Sequence, residues 1–257
     1  MAIDADTVRA LLRAQFPRFA EAPLAFLHEG WDSRAFEVGE AGGEWIFRFP
    51  KRESVHARLA TEIALLPPLA PRLPLPVPKF QFLGRPSPEF PYRFVGYRKL
   101  VGAIAMLVDP DELDAGAVGR QLGRFLAALH AFPLEQAERL GVRADTTYRD
   151  LPGLRVEAAA RLDAPAVREA LGEETARRAA ELLALPPGFT GAVRLVHNDL
   201  AGEHIILSSP AEVSGVIDWG DVMLGDPAVD LAGLYHLGGD PLLLAALAEY
   251  PYVDAGT

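Results

Sequence analysis

Apolar and polar positions follow two different periods in the first part of the chain. Over residues 7–16 the apolar side chains recur near one face at helical spacing, which predicts a helix. Residues 35–38 and 45–49 are short β-type runs joined by the glycine-containing segment 39–43, and they predict a β-hairpin. A second helix is predicted over residues 54–66.

The pattern then changes twice. Residues 67–91 contain nine prolines, which exclude a regular helix and leave room only for extended segments such as residues 79–82. Residues 92–100 predict one more strand. Beyond it, Ala- and Leu-rich helical spacing predicts helices, notably over residues 111–131 and 164–185.

This change from strands to helices predicts a boundary near Gly102. The chain has 257 residues, half of them apolar, which is enough for one large domain or two lobes with real cores. No apolar stretch approaches the roughly 18 residues needed to cross a bilayer, and the first residues lack the basic and apolar regions of a secretion signal. A cytoplasmic location is therefore expected.

Composition also limits the chemistry. The chain has no cysteine, which excludes disulfides, thiolate nucleophiles and cysteine-ligated zinc, so any metal site is built from carboxylates and histidines. The net charge of −10 disfavours nucleic acid and anionic membranes as partners. It would attract a cationic small molecule, although ordinary solubility explains the same charge without any ligand.

The most specific motif lies near the C-terminal end. The short apolar runs 205–207 and 215–217 flank a segment rich in turn residues and predict a β-hairpin. His204 and Asp218 would meet at the open end of this hairpin, within the roughly 5 Å that separates cross-strand neighbours. Asp199 lies five positions before His204 on the entering loop. These residues predict a site for one base and a metal.

Their order, an aspartate, a metal ligand, a hairpin and then Asp-Trp-Gly, is that of a kinase catalytic loop followed by its metal-binding aspartate. From about residue 26 to about residue 230 the chain resembles the aminoglycoside phosphotransferases and related antibiotic and small-molecule kinases. Within that group it is most similar to the aminoglycoside 2″-phosphotransferase and macrolide kinase branches.

The resemblance implies an α+β, bilobal protein-kinase-like fold. Residues 1–102 would form an antiparallel-sheet N-terminal lobe that binds the nucleotide and includes the hinge. Residues 103–257 would form a mainly helical C-terminal lobe that carries catalysis and acceptor binding. The implied partners are ATP or GTP and a hydroxylated small molecule such as an aminoglycoside or a macrolide. Neither nucleic acid nor a membrane is expected as a partner.

The resemblance also assigns the catalytic loop. Asp199 matches the catalytic base, Asp218 matches the Mg²⁺ ligand, and His197 is expected to orient the loop. His204 stands at the second metal position, where most relatives have asparagine, and a nitrogen ligand there favours Mn²⁺ or similar ions. Because a free imidazole protonates near pH 6.5, activity is expected to fall below about that pH, although Asp199 could produce a similar limb.

The expected nucleotide-binding residues lie in the first lobe and the hinge. Ser33 belongs to the expected phosphate-covering loop, with a solvated turn as the alternative. Arg48 stands where relatives carry a lysine that binds the phosphates, and Glu62 where they carry its helix partner. Arginine can bind phosphate as a fork, but this exchange is not conservative. Arg98 and Leu100 match the hinge, whose backbone would pair with the purine edge, and ATP cannot be distinguished from GTP on this basis.

Two alternatives to these nucleotide-binding assignments stay open. Lys51 is a second candidate for the phosphate-binding cation, and Glu62 taken alone would be an ordinary exposed helix residue. Beside Arg48 we expect Glu62 to form an ion pair.

The acceptor side is less determined. Asp221 and Asp240 are the candidate acceptor contacts, whereas Asp226 and Asp230 are expected to be structural, Asp230 by capping or tying the helix that supports the loop. Members of the family usually continue beyond the position of Thr257, which implies either a reduced acceptor wall or a lost C-terminus.

Three functional classes follow. The first is a nucleotide-dependent kinase of a small molecule, and the second is a pseudokinase that binds nucleotide without turnover, suggested by Arg48 and His204. The third is a metal-dependent phosphoesterase built from five side chains: His197, Asp199, His204, Asp218 and Asp221. The acceptor and the oligomeric state stay open.

Overall fold

A computed structural model describes residues 3–40, 43–144, 151–184 and 193–252. The elements of the N-terminal lobe are α1 (Ala5–Gln15), β1 (Leu24–Glu29), β2 (Ser33–Glu40), β3 (Gly43–Pro50), α2 (Glu53–Leu69), β4 (Phe80–Gly84) and β5 (Phe94–Arg98).

The five strands form one antiparallel sheet in the order β1-β2-β3-β5-β4. β2 and β3 pair along their length, from Ser33 opposite Pro50 to Glu40 opposite Gly43. The predicted hairpin is therefore confirmed, and its turn residues 41–42 lie outside the described residues.

Aromatic side chains make the core of this lobe. Phe49 and Phe94 stack with ring centroids 4.6 Å apart, and the buried face of α1 packs against the same cluster. α1 begins where the carboxylate of Asp4 accepts a hydrogen bond of 2.8 Å from the backbone N–H of Thr7. The predicted first helix is confirmed, as is the strand predicted before the lobe boundary, which is shorter than expected at each end.

The prolines do not end α2, so the prediction for residues 67–91 is wrong at its start. The helix continues through Pro67 and Pro68 to Leu69. A proline loses a hydrogen bond and clashes with the preceding turn, which makes it unfavourable inside a helix. Here the last turn also buries Leu65 and Leu69 in the core, and tertiary packing overrides the propensity. The expected strand near residue 80 is present as β4.

The C-terminal lobe is mainly helical. Its elements are β6 (Ala103–Ile104), α3 (Ala115–His130), α4 (Leu134–Arg139), α5 (Leu151–Leu162), α6 (Pro165–Leu171), α7 (Glu173–Ala184), β7 (Arg194–Val196), β8 (Ile205–Ser209), β9 (Glu212–Val216), β10 (Met223–Gly225) and α8 (Ala228–Leu247). With the antiparallel first lobe, this confirms the predicted α+β class. No helix in the described part of the chain is long and apolar enough to cross a membrane.

Two predicted helices have different limits in the structure. α3 starts at Ala115 rather than residue 111, because Asp114 caps it by accepting a hydrogen bond of 2.8 Å from Ala117 N–H. The single helix predicted over residues 164–185 is two helices, α6 and α7, separated at Gly172, whose φ is +76°. Residue 185 lies outside the described residues.

The hairpin predicted near the C-terminal end is confirmed as β8 and β9. Ile205 lies opposite Val216 and Ile206 opposite Gly215, and β6 pairs with the other edge of β8.

α3 and α8 pack closely against each other, and both contribute to the apolar cluster that contains the β8–β9 hairpin. A Cβ atom at Gly119 would lie 2.4 Å from the carbonyl oxygen of Leu242, and one at Gly123 would lie 2.2 Å from that of Ala246. Only glycine allows the two helix backbones to approach this closely. α8 itself has a kink at Gly238 and Gly239, so two helical segments join there.

The buried apolar side chains form two clusters. One belongs to α1 and the first sheet, and the other joins α3, the β8–β9 hairpin and α8. The segment from Leu65 to Val77 packs in the second cluster although it precedes residue 102. Apolar contacts therefore join residues on both sides of the boundary predicted near Gly102. The division of the chain at that residue stays a prediction.

Candidate active site

Asp230, in the first turn of α8, holds the loop that precedes the hairpin. Its fully buried carboxylate accepts hydrogen bonds of 2.9 Å from the backbone N–H groups of His197 and Asn198. The ring of His130 lies 3.0 Å from the same carboxylate and 2.6 Å from the hydroxyl of Tyr250. Asp230 therefore ties the loop itself, in keeping with the structural role expected of it.

The backbone is unusual at one residue before the hairpin and one after it. Asn198 has a φ of +67° and Asp218 a φ of +61°, in the left-handed region that side chains other than glycine seldom adopt. Hydrogen bonds to Asp230 hold the first of these residues in place. Such conformations persist where the surroundings impose them, and they are frequent at functional sites.

The ring of His197 is buried and bonds to the backbone rather than facing the solvent. Its buried ring donates an Nε2–H hydrogen bond of 3.0 Å to the carbonyl oxygen of Ile217. Nδ1 is buried and has no hydrogen-bond partner within the described residues. Burial lowers the pKa of His197, which keeps the ring neutral. The orienting role expected of this histidine agrees with these contacts.

His204 and Asp218 meet at the open end of the hairpin, as the sequence predicted. The backbone N–H of Ile217 donates to the carbonyl oxygen of His204 at 2.9 Å and closes that end. His204 Nδ1 lies 2.7 Å from the carbonyl oxygen of Asp199, so in the neutral ring Nδ1 donates this hydrogen bond and Nε2 holds the lone pair. That lone pair is 3.7 Å from Asp218 Oδ2, and the Asp199 carboxylate is 3.5 Å from Nδ1.

This donor set fits a hard or borderline divalent cation. Among the residues described, no three His, Cys, Asp or Glu side chains form a ready-made metal site. Mg²⁺ and similar ions are, however, commonly held by one or two protein ligands, while water and substrate phosphates complete the coordination. The Nε2 atom of His204 and the carboxylate of Asp218 have the chemistry of two such ligands, and their role as metal ligands stays a prediction.

The two carboxylates differ electrostatically. Burial raises the pKa of Asp199, and His204 and His197 offset this only in part. Burial would also raise the pKa of Asp218, but Arg48 and then His204 outweigh it, so the pKa of Asp218 lies below its usual value. Asp218 is thus kept ionised, as a metal ligand requires, while Asp199 is a stronger base than an ordinary aspartate.

The predicted ion pair between Arg48 and Glu62 is present. Arg48, on β3, donates from Nη2 to both carboxylate oxygens of Glu62, on α2, and from Nη1 to Asp218 Oδ1 at 2.9 Å. Glu62 is only 3% exposed, so it is not the ordinary surface residue that was the alternative. Arg48 therefore connects the two lobes through its contact with Asp218, the carboxylate that is the candidate metal ligand. Behind it, burial raises the pKa of Tyr97 to about 12.

Lys51 lies beside the turn between β1 and β2, the expected phosphate-covering loop, rather than at the position of Arg48. Its Nζ is 2.8 Å from Glu29 Oε1 and donates to the carbonyl oxygen of Gly30 at 3.1 Å. Arg34, followed by Lys51, lowers the pKa of Glu29 to about 2. Ser33 begins β2, and its carbonyl oxygen accepts a hydrogen bond of 3.0 Å from Gly30 N–H. The turn is therefore closed by its own backbone and is flanked by the cations of Arg34, on β2, and Lys51, which follows β3.

The side chains of the two expected hinge residues, Arg98 and Leu100, make packing contacts. The guanidinium of Arg98 lies 4.6 Å from the centre of the Trp45 ring, on the sheet. Leu100 packs against β9, where a Cβ at Gly215 would come within 2.5 Å of Leu100 Cδ1. The two residues were predicted for their backbone groups rather than their side chains, and the pairing of that backbone with a purine stays a prediction.

The two candidate acceptor residues lie in different surroundings. Asp221 Oδ1 accepts a hydrogen bond of 2.8 Å from Arg58 on α2, a residue that the sequence analysis did not single out. Arg58 lies four residues before Glu62, on the same face of α2, and this spacing is the signal that could have identified Arg58. Asp240 is exposed and follows the kink in α8, and no hydrogen bond or ion pair between described residues joins it to Asp199.

The contacts do not favour a metal-dependent phosphoesterase. His197 already bonds Ile217 through Nε2, and Asp221 is paired with Arg58. Of the five side chains that this class would need, Asp199, His204 and Asp218 remain, and they do not form a three-ligand metal site within the described residues.

Comparison with known proteins points to one family. A family model described as the phosphotransferase enzyme family matches residues 23–254. Viomycin phosphotransferase from Streptomyces vinaceus is 35% identical over 149 residues, which cover 56% of this chain and 49% of that protein. The matched region thus spans about half the length of this relative.

Solved structures with the same fold cover more of the chain. A GDP and kanamycin complex of an APH(2″) enzyme has 29% identity and a TM-score of 0.77, covering 96% of this chain and 83% of that one. The apoenzyme of the macrolide 2′-phosphotransferase MphH from Brachybacterium faecium has 28% identity and a TM-score of 0.67, covering 88% and 76%. The loop, the hairpin and the sheet described above therefore belong to a fold shared by these enzymes.

Proposed function

The chain belongs to the phosphotransferase enzyme family, and from this premise we propose that it transfers the γ-phosphoryl group of ATP or GTP to a hydroxyl of a small molecule. One observation carries the proposal. Asp199, His204 and Asp218 converge on one side of a cleft, and Arg48 reaches Asp218 from the other side. Phosphoryl transfer needs just these elements: a positioned base, cation ligands and a phosphate-binding charge.

Each side chain has a defined task in this reaction. Asp199 orients the acceptor hydroxyl and takes its proton as the oxygen attacks the γ-phosphorus, while the bond to the β-phosphate breaks and the nucleoside diphosphate leaves. Asp218 and His204 would hold Mg²⁺ or Mn²⁺, which neutralises the phosphate oxygens when bound. Arg48 is within reach of the same region, because it already contacts Asp218.

The nucleotide would bind between the sheet and the β8–β9 hairpin. Ser33 and its loop would cover the phosphates, and the backbone at Arg98 and Leu100 would meet the base. Because the APH(2″) neighbour was solved with GDP, GTP is the nucleotide to assay beside ATP.

For the acceptor we propose a cationic antibiotic with a free hydroxyl. The names of the three relatives include viomycin, kanamycin and a macrolide 2′-phosphotransferase, and the net charge of −10 favours a cationic ligand. Asp221 and Asp240 remain the proposed contacts for its ammonium groups. A pseudokinase is less well supported, because the base and both metal-type ligands are present together.

The test is nucleotide consumption by the purified protein, with ATP and GTP, Mg²⁺ and Mn²⁺, and viomycin, kanamycin, a macrolide and neutral sugars as acceptors. We expect turnover that a cationic antibiotic stimulates, with a phosphorylated product in the mass spectrum. Nucleotide binding without stimulation by any acceptor would instead support a pseudokinase.

Replacing His204 by asparagine is expected to change metal preference. An imidazole nitrogen favours Mn²⁺ more than an amide oxygen does, so the ratio of turnover with Mn²⁺ to turnover with Mg²⁺ should fall by about 3-fold or more in His204→Asn. Metal titrations of kcat for both proteins measure it. An unchanged ratio would mean that His204 is not a ligand.

A further inference from the structure

Arg58 forms a bridge that the proposed reaction does not yet use. From α2, its guanidinium donates to Asp221 Oδ1 at 2.8 Å and to the carboxylate of Asp32. Asp32 belongs to the phosphate-covering loop between β1 and β2, whereas Asp221 follows the metal-type residue Asp218 in the other lobe by three positions. One side chain therefore connects the loop between β1 and β2, in the N-terminal lobe, to the segment that follows β9, in the C-terminal lobe.

The bridge repeats the geometry of Arg48. Arg48 joins Glu62 of the N-terminal lobe to Asp218, and Arg58 joins Asp32 of the same lobe to Asp221. The two arginines thus form parallel ties between the lobes, and both ties end on one four-residue segment.

The two ties differ in what a bound cation would do to them. A divalent cation on Asp218 competes with Arg48 for the carboxylate, since both need its oxygens. Asp221 is not among the proposed metal ligands, so its contact with Arg58 can persist while the cation binds. The guanidinium of Arg58 is held by the carboxylates of Asp32 and Asp221. Its Nε is buried and has no hydrogen-bond partner within the described residues.

We propose that Arg58 is a positioning residue whose bridge from Asp32 to Asp221 couples nucleotide binding to metal binding. When the cation orders the segment 218–221, the bridge brings the phosphate-covering loop down with it, and each ligand favours the other. The coupling is reciprocal by linkage. This inference rests on the proposed function, because it requires a nucleotide in the cleft and a cation at Asp218.

The test measures affinity rather than turnover. Calorimetric titrations with the β,γ-imido analogues of ATP and GTP, with and without Mg²⁺, give the factor by which the metal tightens nucleotide binding. In Arg58→Met we expect that factor to fall by about 5-fold or more, at the lower end of the usual range of allosteric coupling. At saturating acceptor, the KM for nucleotide should rise more than kcat falls, because Arg58 does not contact the proposed base Asp199.

Arg52→Met is the matched control. Arg52 donates to Asp32 Oδ1 at 2.5 Å and to the carbonyl oxygen of Trp31 at 2.9 Å, both within the N-terminal lobe. It removes the same side chain from the same carboxylate without cutting the link to Asp221, so the coupling factor should keep its wild-type value.

Asp221→Asn tests the bridge from the other lobe and guards against a folding defect in Arg58→Met. It should lower the coupling factor as Arg58→Met does, and the double variant should lower it no further. A wild-type coupling factor in Arg58→Met, or additive losses in the double variant, would overturn the inference. Wild-type protein that binds no nucleotide would overturn the proposed function and this inference with it. A merely structural role would lower the melting temperature and leave the factor unchanged.

Discussion

Asp199→Asn is expected to lower kcat for acceptor phosphorylation by about 10²- to 10⁴-fold, the usual contribution of a general base. The amide keeps the size of the side chain but cannot take the proton of the acceptor hydroxyl. Because the Asp199 carbonyl, not its carboxylate, accepts the hydrogen bond from His204 Nδ1, the metal-type pair should stay in place. Steady-state kinetics with the acceptor found in the panel measure the loss, and nucleotide affinity should change little.

Glu203→Gln is the control for this variant. Glu203 lies on the same loop, its side chain is exposed, and the substitution makes the same change of charge. Its kcat should stay within about 3-fold of wild type, since it is not in contact with the base or the metal-type pair. If Asp199→Asn retained a similar kcat, another group would have to be the base.

Asp230→Asn is expected to destabilise the protein by about 3 kcal/mol and to impair the catalytic loop as well. The buried carboxylate accepts hydrogen bonds from the backbone N–H groups of His197 and Asn198, and it contacts the ring of His130. An amide has one oxygen, so its NH₂ group must face at least one of these buried donors. Leaving a buried donor unsatisfied costs about 1–3 kcal/mol, and losing a charged acceptor costs more.

The loss should be visible as a lower melting temperature, by about 6–12 °C for a chain of this size, in thermal unfolding followed by circular dichroism. Asp226→Asn is the matched control, because Asp226 Oδ1 accepts a single bond of 2.8 Å from Ala228 N–H, which an amide oxygen can also accept. Its melting temperature should change by no more than about 2 °C. Equal effects of the two substitutions would contradict the role assigned to Asp230.

Local patterns explain why much of the site could be predicted. The β8–β9 hairpin is specified by two short apolar runs around turn residues, so the meeting of His204 with Asp218 follows from chain geometry alone. The pairing of Arg48 with Glu62 was expected from the resemblance to the aminoglycoside phosphotransferase family, which the family match confirms. The roles of these residues in binding and catalysis stay predictions.

Other features depend on partners far away in the chain, and local patterns could not supply them. The prolines at the end of α2 predicted no helix, because the burial of Leu65 and Leu69 against the second core is not visible in the local sequence. Asp230 was expected to be structural, but its contacts with the His197 and Asn198 backbone join residues more than thirty positions apart.

The sequence by itself determined the two-part α+β organisation, the catalytic-loop hairpin and the chemical character of the candidate base and metal ligands. These depend on periodicity, turn residues and spacings within about twenty residues. Only the tertiary structure decided that Asp221 is paired with Arg58 and that Arg48, besides its expected partner Glu62, also contacts Asp218. Each of these ion pairs needs both lobes in their final positions, and a long side chain selects its partner by proximity in the folded state.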